Sequence, residues 1–94
     1  MAEVEDVRAT VRTFIVANYL FGDTSNLPDD EASLMDSGLV DSTGILELIE
    51  FLESTFHIDV LDQETLPENL GTIASLTRFV VEKLAVQEAE DLPA

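Results

Sequence analysis

One short polar segment, Asp41-Ser42-Thr43-Gly44, stands directly before a run of aliphatic and acidic residues in this chain of 94 residues. Its serine is where chemistry could begin, and two readings compete for it. In the first, Asp41 or Ser42 caps the following helix by accepting a hydrogen bond from an early backbone N–H, and nothing further happens. In the second, Asp41 is the cap and Ser42 occupies the first turn, its hydroxyl at the tip of a rigid helix. The helix start would then supply N–H groups and a positive dipole end that favour a phosphodiester attached there. Gly38, Thr43 and Gly44 leave the approach free of large side chains, whereas Asp36 and Asp41 would repel a phosphate. A covalent attachment tolerates that repulsion because it does not rest on affinity. On the local sequence alone the capping reading leads.

Other chemistry lacks its parts. His57 is the one histidine and cysteine is absent, so no Ser-His-Asp arrangement, zinc cluster or thiolate can be assembled. Set between Phe56 and Ile58, His57 reads as a structural residue at a helix end. Carboxylates abound, yet a catalytic acid pair needs a cleft that so small a chain struggles to form. The glycines, Gly22, Gly38, Gly44 and Gly71, are scattered and make no phosphate loop. A calcium loop starting at Asp23, with Ser25 and Glu31, fails at Leu27 and at Pro28, which stand where an oxygen ligand and the central glycine belong. No catalytic residue and no specific metal ligand is expected.

The elements that must position Ser42 follow from periodicity. Val4, Val7, Val11, Phe14, Ile15 and Leu20 recur every three or four residues and predict a first helix. A long loop to Gly38 follows, with Leu27, Leu34, Met35, Leu39 and Val40 as apolar anchors. The second helix begins near Ser42, with Ile45, Leu48, Ile49, Leu52 and Phe56 toward the core and Glu47, Glu50 and Glu53 toward water. Leu46 and Phe51 fall off that stripe, as parts of a contact surface or as residues covered by the long loop. Asp62 to Leu66 forms a helical turn that Pro67 would cut short, and Ile58 to Val60 is too short for a strand. Thr72 caps a last helix with Ile73, Leu76, Phe79, Val80 and Leu84 inward, and residues 87–94 form a frayed acidic tail. The expected fold is all-α: one domain over 1–94, a small four-helix bundle of three main helices and one short one, its core spanning about 4–85.

Charge narrows the partners. Twenty acidic residues against four basic ones give a net charge of −16, while 46% hydrophobic residues argue against a disordered acidic segment. Such a surface repels nucleic acid and anionic lipid and attracts basic protein surfaces. No stretch is long and apolar enough for a membrane span, and the acidic start does not resemble a signal peptide. A cytoplasmic monomer is expected.

In order and spacing, these pieces resemble the acyl carrier protein family from about Val4 to Ala85. The family's Asp-Ser-Leu motif is similar to Asp41-Ser42-Thr43, followed here by Ile45, Leu46, Glu47, Leu48 and Ile49. Phe56, Ile58, Asp59 and Val60 match the end of its second helix, and Gly71 to Val80 the start of its last. The resemblance implies a 4'-phosphopantetheine arm moved from coenzyme A onto Ser42 by a magnesium-dependent phosphopantetheinyl transferase. The arm's thiol would carry an acyl intermediate as a thioester, and the chain would catalyse nothing itself. It also implies docking on the second helix by acyl-loading, acyl-transferring or synthase enzymes with basic surfaces. Glu47 and Glu53 are the first candidates for that contact, then Glu50 and Asp41, with Thr43 and Leu46 beside them. Thr43 stands where the family usually has leucine or methionine, and Gly44 where many fatty-acid carriers have an acid. The segment from Ser37 to Ser42 is more similar to specialised carriers of polyketide, lipid-modifying or amino-acid-loading pathways. The implied role is thus a carrier for lipid, fatty-acid or polyketide-type biosynthesis, with an aminoacyl carrier as one alternative. A non-carrier acidic module that binds a basic partner is the other.

Overall fold

The computed structural model describes the backbone of residues 4–91, with their side chains except at residues 26, 42 and 88–91. Four helices follow one another: α1 (Val4–Tyr19), α2 (Ser42–Phe56), the short α3 (Pro67–Leu70) and α4 (Ile73–Asp91). Single 3-10 turns lie at Thr24–Asn26 and Asp62–Glu64, and no strand occurs among the described residues. The all-α bundle of three long helices and one short one is the architecture that the periodicity predicts.

Val7, Val11 and Ile15 stack at four-residue intervals on the buried face of α1, and Ile73, Leu76, Phe79 and Val80 answer them from α4. Among the described residues, these two helices share the most extensive contact between helices. Leu48 and Leu52 of α2 complete the core with Ile58 and Leu70. Val4, expected in the stripe, is 53% exposed, because the first turn of α1 sits at the open rim of a groove formed with Arg78 and Val81. Leu20 lies past the end of α1. There the Gly22 N–H donates to the Val16 carbonyl (2.9 Å), a closure that turns Phe21 and Gly22 left-handed, at φ 52° and 87°. Glycine adopts this freely, whereas a residue with a Cβ incurs about 1–2 kcal/mol.

The long connection is fastened rather than loose. The Leu34 N–H donates to the Gly71 carbonyl and the Ala74 N–H to the Asp30 carbonyl, both at 2.8 Å, which ties the loop to the start of α4. The Asp30 carboxylate accepts from Arg8 and Arg12 of α1 at 3.3 and 2.9 Å. Leu34 and Val40 are fully buried anchors, but Met35 stays half exposed on the rim of a small cleft beside α3.

Two helix boundaries differ from the expectation. Pro67 does not end a turn; it is the first residue of α3, where its fixed φ and missing N–H are harmless. Residues 87–91 continue α4, since Gln87, Glu88, Ala89 and Glu90 are good helix formers and no breaker intervenes. The rest of the expected tail, 92–94, lies outside the described residues. At the start of α4, Thr72 and Ser75 cap reciprocally: the Ser75 N–H donates to the Thr72 hydroxyl (2.9 Å) and the Thr72 N–H to the Ser75 hydroxyl (3.0 Å).

Candidate functional site

Asp41 is the N-cap of α2. Its backbone is extended (φ −103°, ψ −172°), its carboxylate accepts the Gly44 N–H at 2.7 Å, and its carbonyl accepts the Ile45 N–H at 2.9 Å. Ser42 is therefore the first residue of the helix, not its cap. That position places it at the end where backbone N–H groups and the positive dipole end converge. His57 caps the opposite end of α2 in a left-handed conformation (φ 56°), fifteen residues and about 22 Å away, so no histidine can serve Ser42 as a base.

Thr43 is exposed, and a Cβ built on Gly38 would meet nothing within 4 Å. Gly44 is buried, with Val40 on one side and Tyr19 of α1 on the other. The Tyr19 hydroxyl donates to the Gly44 carbonyl at 3.0 Å. Burial pushes the Tyr19 phenol above its ordinary range, and the negative charges of Glu47 and Asp41 push it further the same way. Tyr19 was not singled out from the sequence; the first-turn glycine that receives its ring was the legible half of the pair.

The candidate docking residues divide. Glu47 and Glu50 are exposed on α2, and Leu46 between the site and those acids is 63% exposed, which favours a contact surface for it over burial. Glu53 is half buried, and its carboxylate accepts the Val60 N–H at 3.0 Å, so it holds the turn after α2 in place. Phe51 is part-buried, and α1 covers it. It stacks on Phe14 of α1 with ring centroids 3.9 Å apart, in a column running from Tyr19, edge-on to Phe14, to Phe56, edge-on to Phe51. Beside Ile45, a cleft of about 110 Å³ opens between Met35, Leu66, Pro67 and Leu70.

No protein-family profile matches the chain. Curated relatives do. The chain is 36% identical over 77 residues to a D-alanyl carrier protein of Streptococcus suis, a match covering 82% of this chain and 94% of that protein. The chain belongs to the acyl carrier protein family. A probable acyl carrier protein, PigG, of Serratia is 30% identical over 66 residues, 70% of this chain and 75% of that protein. The D-alanyl carrier protein of Streptococcus pyogenes serotype M5 is 38% identical over 60 residues, 64% of this chain and 73% of that protein. The chain is thus a carrier with no catalytic activity of its own, and a non-carrier acidic module is set aside. As a carrier it works with partner enzymes. None of its described helices is long and apolar enough to cross a membrane.

Proposed function

We propose that Ser42 accepts a 4'-phosphopantetheine arm from coenzyme A, placed there by a phosphopantetheinyl transferase. The carrier then presents an acyl or aminoacyl group, held as a thioester, to its partner enzymes. One observation carries this reading: Asp41 is the N-cap of α2, which puts the backbone of Ser42 in the first helical position. The surroundings fit a phosphodiester. The helix end favours negative charge, Gly38 leaves open space, and Gly44 adds no side chain. When attached, the arm supplies the thiol that this cysteine-free chain lacks.

The chain's own residues orient the site and meet the partner. Asp41 fixes where α2 begins. Glu47 and Glu50, with Thr43 and Leu46, offer a basic partner an acidic rim around an apolar contact, and Glu53 shapes the far end of that face through Val60. Encounter in the cytoplasm as a monomer suits that charge, since copies of the chain repel one another.

The aminoacyl class of cargo gains the most support. Two of the relatives are named for a D-alanyl group. The cleft beside Ile45 holds about 110 Å³, well below the roughly 300 Å³ at which small-molecule pockets begin, and so suits a compact cargo. Lipid, fatty-acid or polyketide-type biosynthesis is the second reading, favoured by the likeness to the probable acyl carrier protein PigG.

Incubation of the apo protein with coenzyme A and a broad-specificity transferase, read by intact mass, tests the site. The wild-type chain should gain one phosphopantetheine and Ser42→Ala none. No gain under conditions that modify a known carrier would overturn the assignment, and a gain that persists in Ser42→Ala would move the site elsewhere. The mass of the loaded species from the native host then reads the cargo.

A further inference from the structure

We propose that Tyr19 is a positioning residue for Ser42, clamping Gly44 from α1 and so holding the first turn of α2 in the form that a transferase must grasp. The inference rests on Ser42 being the arm-bearing serine.

Both polar groups of the Gly44 backbone are taken by side chains from outside the helical ladder. Its N–H donates to the Asp41 carboxylate (2.7 Å), and its carbonyl accepts from the Tyr19 hydroxyl (3.0 Å). Asp41 directly precedes Ser42 and Gly44 lies two residues beyond it, so the serine's backbone is held from both sides. Glycine here is a liability by itself, because it gives the first turn of a helix the greatest backbone freedom. The position is also closely packed. A Cβ at this position would lie 3.1 Å from Val40 Cγ1, 3.4 Å from Asp41 Oδ1 and 3.5 Å from Tyr19 Cε1. The missing side chain spares Val40, the tight neighbour, while the Tyr19 hydroxyl restrains the backbone freedom that glycine brings.

The clamp has a firm base. Tyr19 meets Phe14 edge-on, with centroids 5.8 Å apart, and Phe14 stacks on Phe51 of α2. Just beyond Tyr19, the Gly22 N–H closes the end of α1 on the Val16 carbonyl. The hydroxyl thus reaches the first turn of α2 from a platform that is itself packed against the middle of α2. Glu47 and Asp41, two of the proposed docking acids, are near enough to this phenol to raise it, so the clamp lies close to the proposed docking surface.

Tyr19→Phe keeps the ring and deletes the bond. Phosphopantetheinylation of the full chain by a broad-specificity transferase should then show a KM for the carrier raised about two- to tenfold, the scale of one part-buried hydrogen bond. Its kcat should hold, because fraying lowers the fraction of chains competent to bind rather than the rate once bound. Amide hydrogen exchange at Gly44 and Ile45 should accelerate while Leu76 and Val80 in α4 keep their wild-type rates. An unchanged KM overturns the positioning role. So does a raised KM accompanied by faster exchange throughout α4, since that pattern reports general loosening. A wild-type chain that accepts no arm overturns the Ser42 assignment itself, a result distinct from a wild-type chain that is modified no better than Tyr19→Phe.

Discussion

The pairing of α1 with α4 and the pairing of α1 with α2 are built differently. Where α1 meets α4, the facing side chains are mainly aliphatic, and basic groups of the two helices are paired with acids of the connecting segments. Asp30 takes both Arg8 and Arg12, and Glu64 takes Lys83 at 2.8 Å. Where α1 meets α2, the contact runs through aromatic rings, from Tyr19 through Phe14 and Phe51 to Phe56. Between Arg12 and Arg78 the sequence holds no basic residue, so Glu47 and Glu50 have no lysine or arginine near them in the chain. The molecule therefore separates two tasks. One side pairs its charges within the chain; the other leaves Leu46, Glu47 and Glu50 exposed, the proposed partner surface.

The largest test of this separation is a pair of leucines. Leu76→Ala, at a fully buried site in α4, should cost about 2–5 kcal/mol in chemical denaturation. Leu46→Ala, at an exposed site on α2, should stay within roughly 0.5 kcal/mol of wild type and instead weaken partner binding. Comparable losses of stability would erase the distinction. A smaller contrast lies in the charges. Asp30→Asn should lower stability by about 1 kcal/mol or less, an effect that fades with salt. The double variant Glu47→Gln, Glu50→Gln should leave the melting temperature unchanged or slightly raised, through relieved repulsion. Its association with a basic partner should slow several-fold at low ionic strength.

The smallest effects concern pH and should differ in sign between the two sides. The hydrogen bond from Lys83, aided by the Leu61 N–H, holds the Glu64 carboxyl below the ordinary carboxylate range. Its contribution is complete above that range and is lost as pH falls through the lowered value. Lys83→Met should flatten the acid limb of a stability curve by a small amount, since water screens an ion pair at the surface. Tyr19 behaves oppositely. Its phenol is raised, so its contribution is complete below the ordinary phenol range and is lost as pH rises through the raised value. Tyr19→Phe should therefore flatten the alkaline limb. Identical limbs in either variant and wild type would show that the group in question does not couple to folding.

How far the sequence could be read follows from which interactions are local. The three- and four-residue spacing of Val7, Val11 and Ile15, and of Leu48 and Leu52, locates buried helix faces because a helix repeats every 3.6 residues. The same rule misplaced Val4, since periodicity says which face a residue occupies and not whether another helix reaches that far. Phe51 lies off the aliphatic stripe of its own helix and could be placed only once Phe14 was seen to stack on it. Glu53 is a docking candidate through the family resemblance; its bond to the Val60 N–H depends on how the chain turns after His57. Pro67 is legible both as a terminator and as a first helical residue, and the 3-10 turn at Asp62–Glu64 decided between them.

The sequence by itself determined the three long helices, the acidic surface, the absence of a thiol and the serine at the head of α2. All of these follow from composition or from contacts a few residues long. Tertiary structure decided which acids remain available and what sits against the serine's turn. It brings Tyr19 twenty-five residues along the chain to Gly44, a meeting that no local pattern encodes. The physical reason is that a glycine only leaves room. What fills the room depends on where the end of another helix is carried by the packing of the core.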